Sequence, residues 1–173
     1  NGLTVGFILE NQFNSDDGSL ADEDHFFRRE SSLFLQGGFG KVAMGRMGSI
    51  NGGTSSWAKY GVLSAFGTSW DYSAQAGSWA IGGGMWDNMI AYQTPDFAGF
   101  KVYAQYSMGN QVDGTDTDKK AGKYGAENES SSDRYYAIGA TYNNGPFAAY
   151  LAVDSMNYAS VTTKEGKQVF ADM

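Results

Sequence analysis

The sequence predicts an all-β fold: a transmembrane antiparallel β-barrel, present as about seven to eight strands, with a long loop folded into the lumen. Three observations lead there. Apolar residues alternate with small or polar ones in several separate stretches, and side chains alternate across a strand at that period. Short turns and long polar loops follow one another along the chain, as they do at the two rims of an outer-membrane barrel. The apolar faces of the clearest strands carry no charge, and the opposite faces are rich in Gly, Ala, Ser, Tyr and Gln. A soluble antiparallel sheet tends instead to place Lys, Glu and Thr where it meets bulk water.

Composition narrows the function classes. The 173 residues include no Cys, one His, 24 Gly and 2 Pro. The lack of Cys excludes a disulfide scaffold and a Cys-ligated metal or iron–sulfur site, and a single His argues against a His-based catalytic or zinc centre. A net charge of -7 argues against gripping nucleic-acid phosphates. Aromatic residues at 15% argue against disorder. A membrane helix needs about 20 apolar residues. The longest uncharged run, 135–153, is broken by Asn143-Asn144-Gly145-Pro146, a turn signal. Asn1-Gly2-Leu3-Thr4 lacks the basic and apolar regions of a signal peptide. No cofactor or metal is implied.

The elements follow in order. Leu3, Val5, Phe7 and Leu9 form one face of a first strand, with Thr4, Gly6, Ile8, Glu10 and Gln12 on the other. Stretches 26–36 and 41–48 are further strands, and 89–92 is a short one. Phe100, Val102, Ala104 and Tyr106 oppose Lys101, Tyr103, Gln105 and Ser107. Tyr136, Ile138, Ala140 and Tyr142 oppose Tyr135, Ala137, Gly139 and Thr141; Phe147, Ala149, Leu151 and Val153 oppose Ala148, Tyr150, Ala152 and Asp154. Turns are expected at 37–40, 96–99 and 143–146. Long polar loops occupy 14–24, with five acids and no base, and 112–134, with six acids and four bases. Both are expected on the extracellular side. Phe26, Phe27, Phe97, Phe100, Tyr106, Tyr135, Tyr136, Tyr142 and Phe147 cluster towards strand ends, as the aromatic girdles of a lipid-facing barrel do.

Segment 49–87 stands apart. It has no sustained period two, its charges are Lys59, Asp71 and Asp87, and it holds Trp57, Trp70, Trp79 and Trp86. A structureless loop of this length is usually functional or disordered, and four Trp need burial. A surface loop with its own small core and a loop folded into the barrel are the two readings.

In order, these pieces resemble the general (trimeric, 16-stranded) porins of Gram-negative outer membranes. The resemblance runs through Gly2-Leu3-Thr4-Val5 and Leu9-Glu10, then Arg29-Glu30-Ser31-Ser32-Leu33-Phe34-Leu35-Gln36-Gly37-Gly38-Phe39-Gly40-Lys41-Val42 and Met44-Gly45-Arg46. It continues with Asn88-Met89-Ile90-Ala91-Tyr92-Gln93-Thr94-Pro95-Asp96-Phe97-Ala98-Gly99-Phe100 and Tyr103-Ala104-Gln105-Tyr106. It implies a diffusion porin: a homotrimer in the outer membrane, in contact with its lipid and lipopolysaccharide, passing ions and small hydrophilic solutes without covalent chemistry. It places 49–87 where the family folds its third extracellular loop inward. A constriction of Arg28, Arg29 and Arg46 against Asp71 and Asp87 follows, with Lys101, Tyr103 and Gln105 lining the pore. Loop 14–24 takes the place of the loop that latches onto a neighbouring subunit.

The departures are specific. A wall arginine expected shortly before Asn88 is missing from Gly82-Gly83-Gly84-Met85-Trp86-Asp87. The acidic Pro-Glu-Phe-Gly-Gly-Asp type of loop motif is missing too. A weaker transverse field follows, leaving the sign of selectivity open. Asn128-Glu129-Ser130 fits a glycosylation sequon by chance, His25 and the pair Asp22/Asp24 are loop groups, and Tyr92, Tyr103 and Tyr150 offer only a weak sugar slide. The competing functions are an outer-membrane barrel acting as an adhesin or structural anchor, and a soluble β-sandwich lectin. An inward loop requires a barrel of about 16 strands, since about eight leave an interior filled by side chains. The chain therefore reads as about half of such a barrel, with 167–173 beginning an eighth strand.

Overall fold

The computed structural model describes residues 2–21, 26–52, 55–59, 84–108, 134–157, 160–162 and 168–170. Seven strands make one antiparallel sheet in simple chain order: β1 (Thr4–Glu10), β2 (Glu30–Gly37), β3 (Gly40–Gly48), β4 (Met85–Gln93), β5 (Phe100–Ser107), β6 (Arg134–Asn144) and β7 (Phe147–Asn157). Each strand pairs with the next, so β1 and β7 are edges and the sheet is not closed. A short separate ladder joins β8 (Ser160–Thr162) to β9 (Gln168–Phe170). Residues 168–170 therefore pair with β8 and do not add an eighth strand to the main sheet, which corrects that expectation. The competing partner is local: β8 lies close enough in sequence to close a hairpin at low loop entropy.

The three short turns all fall at one end of the sheet, because β2–β3, β4–β5 and β6–β7 are adjacent antiparallel pairs. The β1–β2, β3–β4 and β5–β6 connections lie at the other end. The turn between β4 and β5 shows its chemistry plainly. Asp96 Oδ1 accepts the Gly99 N–H three residues on at 2.7 Å, and so ties the turn across its own backbone. Gly99 sits at φ 90°, and a Cβ there would collide with the Asn143 carbonyl.

Register sets the two faces. Val5 opposes Leu35, Phe7 opposes Leu33, Leu33 opposes Met44 and Met44 opposes Ile90. Ile90 opposes Tyr106, Tyr106 opposes Tyr136, Ala104 opposes Ile138 and Ile138 opposes Val153. One continuous apolar face results, and it is exposed: Phe7 by 71%, Leu151 by 73%, Ile138 by 59%. The buried cluster lies on the other face, from Ala43, Met47, Met89, Ala91, Tyr103, Tyr135 and Ala137 together with Ile50, Trp57 and Trp86. An exposed apolar face of this extent marks a lipid or partner surface.

The starts of two strands differ from expectation: β2 begins at Glu30, not at 26. β4 begins at Met85, not near 89, so Trp86 and Asp87 belong to a strand and the long connection ends at Gly84. A register shift separates Gly45/Met89 from Met47/Trp86, with Asn88 at φ 49°. The extra residue breaks the alternation that marks a strand in sequence. Tyr135 leaves the aromatic girdle: it is buried on the inner face and stacked on Trp86 at 4.9 Å.

Candidate functional site

The site is the inner face of the sheet and the start of the long connection laid on it. Small residues make the room. A Cβ on Gly139 would stand 2.9 Å from Ile50 Cδ1 and 3.0 Å from Ala152 Cβ, so a glycine here lets Ile50 dock. Gly6 serves Phe34 in the same way, its ring lying over the glycine from the neighbouring strand.

Polar side chains of the wall then tie down the backbone of the connection. Gln105 Oε1 accepts the Ile50 N–H at 2.7 Å, and its Nε2 donates to the Gly48 carbonyl at 3.0 Å. The Tyr150 hydroxyl donates towards the Ile50 carbonyl at 3.1 Å and Asn51 Oδ1 at 2.5 Å. Glu30, fully buried, accepts from Ser32 Oγ at 2.9 Å, Ser56 N at 3.0 Å and Ser56 Oγ at 2.7 Å. Buried polar groups must be paired, and each of these reaches across sheet and connection at once. Trp57 is buried above them, its Nε1 without a partner among the described residues.

Cations gather on the same face. Lys41 Nζ lies 4.3 Å from the Phe34 ring centroid and 5.2 Å from that of Trp57. Lys59 Nζ lies 5.9 Å from Trp57 and 5.0 Å from Tyr103. Cation–π contacts of this kind contribute about 0.5–2 kcal/mol each. Lys59 also donates to the Ser56 carbonyl at 3.3 Å. Burial, with the like charges of Lys41 and Lys101, pulls the Lys59 ammonium down to about 8, against a smaller opposing effect of Glu30.

The residues expected from sequence distribute unevenly. Lys101, Tyr103 and Gln105 share the inner face, but Tyr103 and Gln105 are covered by the connection. The Tyr103 hydroxyl lies 3.1 Å from Thr141 Oγ1, and Lys101 Nζ lies 3.5 Å from Asp96. Arg46 Nη1 pairs with Asp87 Oδ1 at 2.6 Å, and Arg46 Nε donates to the Arg28 carbonyl at 2.5 Å. Arg46 opposes Ser31 in register and shares the parity of Met44, so this pair sits at the base of the connection, on the side of the apolar face. Arg29 Nε lies 3.6 Å from Glu10, and the side chains of Arg28 and Arg29 are half-buried. Asp71 lies outside the described residues, as do Trp70 and Trp79. Tyr92 points away from Tyr103 and Tyr150, on the apolar side, and donates to the Phe39 carbonyl at 2.7 Å. The three tyrosines therefore form no common ladder. Sequence reasoning missed Lys59 and Lys41 as site residues. The available signal was Lys59 standing alone as a base in an otherwise nearly uncharged segment.

A sheet with its apolar face outward and a polar, loop-covered face inward is the wall of a membrane barrel. A profile of the Gram-negative porin family matches residues 1–172. The chain belongs to the Gram-negative porins. An outer membrane porin protein of Bordetella pertussis is 32% identical over 164 residues, 90% of this chain and 39% of that protein. Outer membrane porin protein 32 of Delftia acidovorans is 31% identical over 159 residues, 88% of this chain and 40% of that protein. The solved structure of an anion-selective porin from Comamonas acidovorans superposes with a TM-score of 0.60 at 25% identity, over 96% of this chain and 46% of that one. The porin chain thus spans about two fifths of the length of these curated relatives. Its place is the outer membrane, as part of a β-barrel.

Proposed function

We propose that the whole protein is a diffusion channel: a homotrimeric outer-membrane porin, in contact with outer-membrane lipid and lipopolysaccharide, that passes ions and small hydrophilic solutes passively. The observation that carries this is the inversion of the sheet, with large apolar side chains exposed on one face and a paired polar network on the other. A sheet satisfies every backbone group in lipid only when it closes into a barrel, and a closed barrel with a polar interior holds water. Its work involves no covalent chemistry. Selectivity comes from pore radius and lining charge, and the low-dielectric wall focuses that charge on a passing ion.

In this reading the connection between β3 and β4 narrows the lumen from within, and Gln105, Tyr150 and Glu30 support it by holding its first residues to the wall. Arg28 and Arg29 are proposed as wall cations of the constriction, with Asp71 opposite. Arg46 and Asp87 are proposed as the clamp at the base of the loop, because their close pairing cancels their field at a distance. Loop 14–24 is the proposed subunit latch; Asp17 Oδ1 accepts both Ser19 N–H and Ser19 Oγ–H there, which keeps its carboxyl below the usual range.

The test is reconstitution of the full-length protein in a planar bilayer. Stepwise conductance from an oligomer that dissociates on heating is expected; its absence overturns the reading. Swelling of liposomes in small sugars separates an open channel from a closed barrel used as an adhesin or anchor.

A further inference from the structure

Ile50 is held through its N–H, its carbonyl and its side chain at once, and it is fully buried. Gln105 Oε1 on β5 accepts the Ile50 N–H at 2.7 Å. The Ile50 carbonyl accepts the Lys59 N–H at 3.0 Å and the Tyr150 hydroxyl of β7 at 3.1 Å. The side chain enters a notch between β6 and β7. A Cβ on Gly139 would stand 2.9 Å from Ile50 Cδ1 and 3.0 Å from Ala152 Cβ. Carbon atoms in contact prefer about 3.5–4.0 Å, so the notch exists only because position 139 carries no side chain. Further along the same connection, Glu30 on β2 accepts both the N–H and the hydroxyl of Ser56. Residues 50 and 56 therefore tie the connection to β5–β7 on one side and to β2 on the other.

We propose that Ile50, keyed into the Gly139 notch, sets the size limit for hydrophilic solutes in this channel, with Gly139 as a positioning residue that acts on the lumen only through Ile50. This rests on the channel reading above and names how that pore sorts its solutes. The hydrogen bonds hold the connection to the wall, but an N–H···O bond tolerates a spread of about 2.7–3.2 Å. Carbon–carbon repulsion below contact distance is far steeper, so the notch fixes how deep the connection sits. A methyl at position 139 would lift Ile50 off the wall by about 1 Å, the shortfall from ordinary contact. The lift is directed into the lumen, and it carries residue 59 with it through the Lys59 N–H bond. Ile50, Gly139, Gln105, Tyr150 and Ala152 are all uncharged. Their effect is on pore radius, which selects solutes separately from lining charge.

The experiment uses the full-length protein in liposomes and reads the swelling rate in a trisaccharide, raffinose, relative to that in a monosaccharide, arabinose. Gly139→Ala is expected to lower this ratio on the order of threefold, because the larger sugar is the more sensitive to pore diameter. The double variant Gly139→Ala with Ile50→Val removes Cδ1, the Ile50 atom that the new methyl would strike, and is expected to restore the wild-type ratio. The Ala152 contact is common to both variants, so the difference between them isolates Ile50. A Gly139→Ala ratio that is unchanged or raised overturns the proposal, and so does a double variant that stays as low as the single one. If Gly139→Ala yields no heat-sensitive oligomer, Ile50→Ala decides. That variant empties the notch and is expected to raise the ratio; an unchanged or lowered ratio overturns the proposal. A wild type that swells in neither sugar overturns the channel reading itself.

Discussion

Gln105 and Tyr150 each make two contacts with the backbone or side chains of residues 48–51. Replacing Gln105 by Leu leaves the Ile50 N–H and the Gly48 carbonyl buried without that partner, at a cost of about 1–3 kcal/mol for each orphaned group. The expected outcome is a loosened inner loop, read as higher and noisier single-channel conductance than in the wild type. Tyr150→Phe removes one hydroxyl and is expected to cost about 1 kcal/mol, with a smaller effect on the same trace. Lys59 gives a stability prediction of definite sign. Its ammonium titrates near 8 when folded against 10.5 when free. Between those values the unfolded chain binds a proton that the folded chain has released, so stability rises with pH through that window. Below about 8 the burial cost is fully present. Urea midpoints are therefore expected to rise from pH 8 to 10.5 more steeply for the wild type than for Lys59→Met.

β7 shows what a single strand of this fold demands. Leu151 is 73% exposed on the apolar face, while its neighbour Ala152 packs against the inner cluster. Leu151→Arg is expected to cost about 2–4 kcal/mol in the full-length protein refolded into lipid vesicles, as a charge on the lipid face does near mid-membrane. Ala152→Ser, one residue along and facing inward, is expected to leave the folding midpoint within about 0.5 kcal/mol of wild type. An opposite ranking would place the lipid on the other face. β4 is the instructive failure of sequence reading among the strands. Its first residues, Met85-Trp86-Asp87, follow a glycine run, and a register shift at Asn88 disrupts their alternation. Pairing with Met47 and Gly48 of β3 holds them in the sheet, and that long-range partner is invisible to a local pattern.

The seven-strand sheet has two open edges at the scale of the whole molecule. Each unpaired backbone group in hydrocarbon costs several kcal/mol, so this stretch depends on further strands to enter a bilayer. Residues 1–173 expressed alone are expected to give neither stepwise conductance nor heat-modifiable migration on a gel, whereas the full-length porin gives both. The site was legible only in outline at this scale. The inner parity of Lys101, Tyr103 and Gln105 followed from alternation. That Gln105 would hold Ile50, that Tyr150 would reach Asn51, or that Lys41 and Lys59 would share Trp57 did not follow, because these contacts join residues far apart in the chain.

The sequence by itself determined which side chains of β1, β5, β6 and β7 fall on the apolar face and which face inward, the position of the short turns, and the family. Those follow from a period of two and from turn chemistry, both of which are local. Tertiary structure alone decided where charges of the described residues are spent. Arg46 went to Asp87, Arg29 to Glu10 and Lys101 to Asp96, while Lys59 was carried onto the wall beside Lys41. The physical reason is range: strand alternation is fixed by neighbours two residues apart, whereas an electrostatic field depends on distances that only the folded sheet and its inward connection establish.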